Sequence, residues 1–262
     1  MKLKIDMSNS MKKYLSFIFI LLCLQASSQS LIGGNNIIKT NLSGDAIHNY
    51  NITFERSISR FMSISLSYRN MPKSSLPLQA IVKQFINNPA IDFDNIQVGN
   101  NAITAEARFY LGFSKMAGFY VAPYTRSATI DLTVPVHYTY QPTSPLPGIV
   151  LPPIPMQAQL DGTIRSTSYG AYVGMQFQLL TKLVLDLWMI GGHFGQSNGK
   201  LQFTPPTPLP ALAVTALQKT LDETKANPFT LKSTVTANSA FIDTEGPWAG
   251  IRGLGITVGL RF

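Results

Sequence analysis

The sequence predicts an all-β chain: an eight-stranded antiparallel up-and-down transmembrane β-barrel with short turns at one end and long loops at the other. Three observations predict it. Apolar and polar residues alternate with a period of two in five segments, the signature of strands with two unlike faces. The links between strands alternate between short and long. Finally, only 13% of the 262 residues are charged while 45% are hydrophobic, against a charged share of ~25% in ordinary soluble domains.

The chain opens with a segment that does not belong to the barrel. From Met11 it runs "MKKYLSFIFILLCLQASSQS": a basic start at Lys12 and Lys13, an apolar run, then small polar residues. This is the layout of a secretory signal peptide. The run from Tyr14 to Leu24 is too short for a spanning helix, which needs ~20 residues. Residues 1–29 are therefore read as a signal peptide, cut near Gln29, with Met11 a better start than Met1; residues 30–262 are the barrel. Cys23, the single cysteine, is preceded by Leu22 rather than a small residue, which disfavours lipidation. It leaves with the signal, so disulfides and thiolate chemistry are excluded. The net charge of +8 falls to +5 once the four Lys and one Asp of residues 1–29 are removed. The remaining charges are dispersed, unlike a nucleic-acid footprint.

The strands follow in order. The first two are placed at 36–43 and 47–57, where Tyr50, Ile52 and Phe54 oppose Asn51, Thr53 and Glu55. In 61–69, Met62, Ile64, Leu66 and Tyr68 oppose Ser63, Ser65, Ser67 and Arg69. In 102–112, Ile103, Ala105, Ala107, Phe109 and Leu111 oppose Thr104, Glu106, Arg108 and Tyr110. The fifth strand is placed at 118–132. In 166–177, Tyr169, Ala171, Val173, Met175 and Phe177 oppose Ser168, Gly170, Tyr172, Gly174 and Gln176. In 183–191, Leu183, Leu185, Leu187 and Met189 oppose Asp186 and Trp188. The last strand, 253–262, sets Leu254, Ile256, Val258, Leu260 and Phe262 against Gly255, Thr257, Gly259 and Arg261.

Tight turns fall at 57–60, 113–118 and 179–182. A short link at 43–46 and long segments at 71–100, 133–160 and 195–250 fall between them, so the long loops share one end. Bacterial outer-membrane barrels have this asymmetry and an even strand count, and a closed barrel satisfies its backbone hydrogen bonds in lipid. A soluble sandwich or lipocalin-like barrel alternates too, but buries its apolar face. The polar face carries Lys39, Glu55, Arg69, Glu106, Arg108, Arg126, Asp186 and Arg261; these are expected to form a paired charge network filling the lumen. Two aromatic girdles are expected: Phe61, Phe109, Phe113, Phe119, Phe177 and Phe262 at the turn end, and Tyr50, Tyr68, Tyr138, Phe194 and Trp248 at the loop end.

The final strand resembles the C-terminal signal of outer-membrane barrels, carried by Leu254, Ile256, Val258, Leu260 and Phe262. The whole is similar to small eight-stranded barrels of the OmpA/OmpX-like type. The blocks "NITFERSIS", "EARFYL", "GFYVAPY" and "GLGITVGLRF" resemble more narrowly a family of outer-membrane barrel domains from Bacteroidota, to which no biochemical activity attaches. The resemblance spans about residues 37–262 with the loops unmatched. It implies location in a Gram-negative outer membrane and, as partners, outer-membrane lipid, lipopolysaccharide and the barrel-assembly machinery.

Two loop segments have helical spacing: 74–88, with Leu78, Ile81, Val82, Phe85 and Ile86, and 210–226, with Leu212, Val214, Leu217 and Leu221. They are expected to pack on each other. The Pro-rich segment 142–155 is expected to be a stiff, extended loop. His48, His137 and His193 fall near the loop end with Asp45 and Asp161, but no G-x-S-x-G nucleophile motif, metal-ligand spacing or phosphate loop accompanies them. The expectation is a non-enzymatic barrel without cofactor, structural or surface-interacting through its loops, with its lumen closed by charged side chains. A lipid-modifying barrel enzyme and a narrow solute pore are the alternatives.

Overall fold

The computed structural model describes residues 34–75, 89–112 and 114–262. The expected signal peptide, most of the expected helix at 74–88, and Phe113 lie outside the described residues. The chain is all-β. Its strands are β1 (Asn36–Asn41), β2 (Tyr50–Ser57), β3 (Met62–Ser75), β4 (Gln97–Tyr110), β5 (Gly118–Tyr140), β6 (Ile154–Gln178), β7 (Leu183–Phe203), β8 (Thr230–Val235), β9 (Ala240–Pro247), β10 (Gly250–Arg252) and β11 (Gly255–Arg261). They form one antiparallel sheet of eleven strands. Seven of them pair in sequence order from β1 to β7, and β11 pairs with both β7 and β1, so eight strands hydrogen-bond in a ring.

Within the ring most outward residues are apolar, while the inward ones are polar or aromatic with a few apolar exceptions such as Ile37 and Val184. In β3, Ser63, Ser65 and Ser67 are buried while Ile64, Leu66 and Tyr68 are exposed. In β4, Thr104, Glu106 and Arg108 are buried while Ile103 and Phe109 are exposed. Ile64 is 47% exposed and Arg108 only 1%. The ring is thus inverted relative to a protein whose core is greasy.

The bounds of several expected elements need correction. Strand one stops at Asn41, because Asn41 caps the helical turn α1 (Leu42–Asp45) by accepting from the Gly44 N–H at 2.9 Å; this matches the N-cap preference for Asn. Strand two then starts only at Tyr50, after His48 with φ 57°. The larger correction concerns the long loops. β5, β6 and β7 run 23, 25 and 21 residues, so much of 133–160 and 195–250 is strand. Register is continuous from Gly118↔Gln176 to Tyr140↔Ile154. These extensions escape a pattern search because their outward residues are polar as well, for example Thr163, Arg165 and Thr167, and period-2 contrast vanishes.

The extension accommodates Pro135 for a stated reason. β4 pairs β5 only as far as Gln97↔Thr133. Beyond it the free edge is covered by the segment around residues 90–92, whose Ala90 carbonyl accepts from His137 N–H at 2.7 Å. The missing Pro135 N–H points to the same edge, where a sheet tolerates proline. Above the ring, β8 and β9 continue the sheet past β7. The helix α2 (Ala211–Glu223) packs its Ala213, Leu217 and Leu221 into a cluster with Val136, Tyr138, Leu160, Leu201 and Ile242. Of the residues expected on its apolar face, Leu212 is instead 44% exposed. Gln218 ties α2 to the edge of the sheet, accepting from Val235 N–H at 2.8 Å and donating to Ser233 Oγ at 2.8 Å. The helix therefore packs on strand extensions. Tyr138, expected in an aromatic girdle, is buried in this cluster, and burial raises its pKa. Phe61, Phe109, Phe119 and Phe262 at the short-turn end, and Tyr50, Tyr68 and Phe194 at the other, are exposed.

Candidate functional site

Eight strands enclose a space just wide enough for side chains to fill, and the inward polar residues fill it in tiers. The lowest tier is apolar and aromatic, with Ile37, Tyr110, Met116 and Tyr120 buried. Arg261 lies at this end. It donates to the Gly34 carbonyl at 2.6 Å and to Gln178 Oε1 at 2.7 Å, and among the described residues it makes no ion pair.

The middle tier is ionic. Arg108 is its centre: Nη1 reaches Asp186 at 2.6 Å and Glu55 at 3.4 Å, and Nη2 reaches Glu106 at 2.9 Å. Lys39 pairs with Glu55 and, at 2.8 Å, with Asp186, and donates to Gln176 Oε1 at 2.9 Å. Five hydroxyls complete the carboxylates, among them Ser65, which donates to Glu106 at 2.9 Å. Tyr110 and Ser63 hydroxyls each reach Glu55 at 2.6 Å. Tyr120 reaches Asp186 at 2.6 Å, and Tyr172 reaches Glu106 at 2.7 Å. Glu55 and Asp186 have no exposed surface. Three acids buried this deeply survive only because every one meets cations and hydroxyls.

Sheet register produces this convergence. Asp186 stands opposite Gln176 on β6 and Thr257 on β11, and Glu55 opposite Ser65 on β3. Strand parity then turns all of them inward. Close packing also needs Gly174: a Cβ there would stand 2.4 Å from the Tyr120 ring and hydroxyl.

The third tier belongs to three arginines. Arg252, on β10, lies 3.9 Å from the Trp188 ring centroid and 4.2 Å from that of Tyr172, and reaches Glu106 at 3.4 Å. Arg69 and Arg126 stand above it, both half-buried. Among the described residues neither makes an ion pair or a side-chain hydrogen bond.

Of the eight charged residues expected together, five (Lys39, Glu55, Glu106, Arg108 and Asp186) meet in the ionic tier. Arg69 and Arg126 lie in the tier above, and Arg261 lies at the opposite end. Arg252 was missed because it falls between the loop read at 195–250 and the strand read at 253–262, on the short strand β10. Tyr110, Tyr172 and Gln176 share parity with Glu106, Arg108 and Ser168 in the sequence, and that parity was the signal for them.

The residues of the terminal segment point outward: Ile256, Leu260 and Phe262 are exposed and Val258 is half-buried. Leu254 precedes β11 and is 86% exposed. Phe262 exchanges backbone hydrogen bonds with Asn36 at 2.9 and 3.0 Å. Gly253 has open space where a Cβ would be, whereas Gly255 and Gly259 are buried.

The histidines do not form a hydrolytic arrangement. His137 meets Asp92 at 3.5 Å on the extension, His48 stacks edge-on with Tyr50, and His193 has Arg126 and Arg252 as charged neighbours. Among the described residues no group of three His, Cys, Asp or Glu comes together as a metal site would require. No protein-family model matches this chain, and no match is found among curated proteins.

Proposed function

We propose that this chain is an integral outer-membrane β-barrel whose role is structural or interactive. The ring of eight spans the bilayer, its apolar outer face meets lipid, and the long-connection end stands outside the cell. The observation that carries this reading is the inversion. A row of Ile64, Leu66, Ile256 and Leu260 is exposed, while Lys39, Glu55, Arg108 and Asp186 are sealed inside. In water such an arrangement would expose apolar surface and bury charge, both unfavourable. In lipid, both preferences reverse on the outer face.

Spacing supports the same reading. Phe61, in the turn just before β3, and Tyr68 within β3 are both exposed aromatics; seven positions apart, they span ~23 Å of extended chain, close to the ~25 Å apolar band of such barrels. In this reading the outward residues of β11 serve as the assembly signal, which their exposure supports. The ionic tier closes the interior, so the barrel has no wide channel. Neither a catalytic arrangement nor an open pore has a specific observation in its favour.

A gel of membrane fractions tests this. The unboiled protein should migrate differently from the boiled one and partition with outer membrane. A soluble chain with no heat-dependent shift would sink the proposal. In planar bilayers the folded protein should give no stable, large conductance; a steady large channel would disprove closure by the ionic tier.

A further inference from the structure

We propose that the third tier of the ring binds a doubly charged oxyanion: inorganic phosphate or the phosphate group of a soluble monoester. The acids Glu55, Glu106 and Asp186 of the tier below are matched by Lys39 and Arg108 within that tier and by Arg252, which reaches Glu106 from the third. Arg69 and Arg126 are left over. Arg69 has Arg126 and Arg252 as like-charged neighbours, with Glu106 the carboxylate in range. Clustered, partly desolvated guanidinium groups repel one another, and an interior charge without a partner is costly. A dianion cancels the surplus of two charges.

The unpartnered atoms are of the right kind. Arg126 Nε and Ser168 Oγ are buried without a hydrogen-bond partner, and so is Trp188 Nε1. All three can donate. Ser168 is 99% buried, sits directly across from Arg126 in the β5–β6 ladder, and shares the inward face. Arg252 Cζ lies over the Trp188 ring at 3.9 Å and over that of Tyr172 at 4.2 Å, which fixes where its guanidinium group sits. Guanidinium groups pair with phosphate oxygens through directed, charge-assisted bonds. The site faces the inside of the ring, so its phosphate comes from a solute and not from a lipid headgroup. The inference holds whether or not lipid surrounds the ring, so its failure would not be the failure of the membrane proposal.

The test uses the full chain folded in detergent, with Trp248→Phe leaving Trp188 as the reporting tryptophan. Titration with inorganic phosphate should give a saturable change in Trp188 emission. Calorimetry on the unmodified chain should give one site. Acetate or chloride at equal ionic strength should give neither. Arg126→Met and Arg69→Met should each weaken phosphate binding about tenfold, the loss of a hydrogen bond to a charged group, while keeping the heat-dependent gel shift. Phospholipid vesicles should not compete. Absence of saturable binding by the unmodified chain would overturn the proposal. So would an equal response to acetate, binding untouched by both folded variants, or displacement by vesicles, which would assign the phosphate to lipid.

Discussion

Arg108 contacts all three buried acids, and among the described residues no other side chain does. Replacing it with Met leaves Glu55, Glu106 and Asp186 with Lys39 and Arg252 alone. Breaking a buried ion network by removing one partner costs about 3–5 kcal/mol. Urea unfolding of Arg108→Met in lipid vesicles, followed by tryptophan emission, should show a loss of that order. A change within experimental error would mean that the tier is hydrated and loosely held. These acids and cations were legible as residues because strand parity alone put them on one face. Their grouping into two tiers was not, since it depends on register between strands far apart in sequence. Arg252, for instance, reaches Glu106 across 146 positions.

At the scale of elements, a bulge in β7 shows what parity can and cannot reveal. Val173 pairs with Ile190 but Gly174 with Trp188, leaving Met189 as the extra residue. Met189 and Ile190 are both exposed in consequence, and the alternation resumes at Gly191. The bulge lies where β7 changes its second partner from β11 to β10, as bulges do where a strand must bend. A sequence pattern cannot distinguish this from the end of a strand, which is why the expected strand stopped at 191. The 89–95 segment offers a test at the same scale. Asp92 accepts from the Asn95 amide at 2.8 Å and contacts His137 at 3.5 Å. The Asn95 hydrogen bond, foremost, holds its carboxyl below the usual value. The ionised form is therefore favoured in the folded state. Its stabilising contribution is complete above the ordinary carboxylate pKa of about 3.9, and fades as pH falls through the lower folded value. NMR shifts of the Asp92 and His137 amides should report release of this segment from the β5 edge only in strongly acidic solution. Asp92→Asn should remove that pH dependence; an unchanged transition would assign it to another group.

For the whole molecule, the decisive question is what touches the outer face. Ile64 is 47% exposed and lies three residues after Phe61 and four before Tyr68, near the middle of the stretch between these two exposed aromatics. If lipid covers it, Ile64→Arg should destabilise the chain by about 2–4 kcal/mol, the cost of an Arg near the bilayer midplane. On a watery surface the change would stay within about 0.5 kcal/mol. Urea titrations in vesicles separate these outcomes. The ring was readable in the sequence because one face of most of its strands is largely apolar, which preserves the two-residue rhythm in five of them, from Met62 to Leu260. The superstructure above it was readable only at α2, where Leu217 and Leu221 repeat at helical spacing. Its strands are polar on their outward side and are held by pairing, which leaves no local mark.

The long strands carry one more implication. The residues of β5 from Ile130 to Tyr140 have no counterpart in β1 or β2, and eleven residues extend ~36 Å along a strand. They act as a mast, stiffened by ladder bonds on β6 and braced by α2, with the proline-rich tip of residues 141–153 at its head. A foreign peptide spliced into that tip would be displayed well clear of the ring that carries it, and the mast would keep it there without any flexible tether.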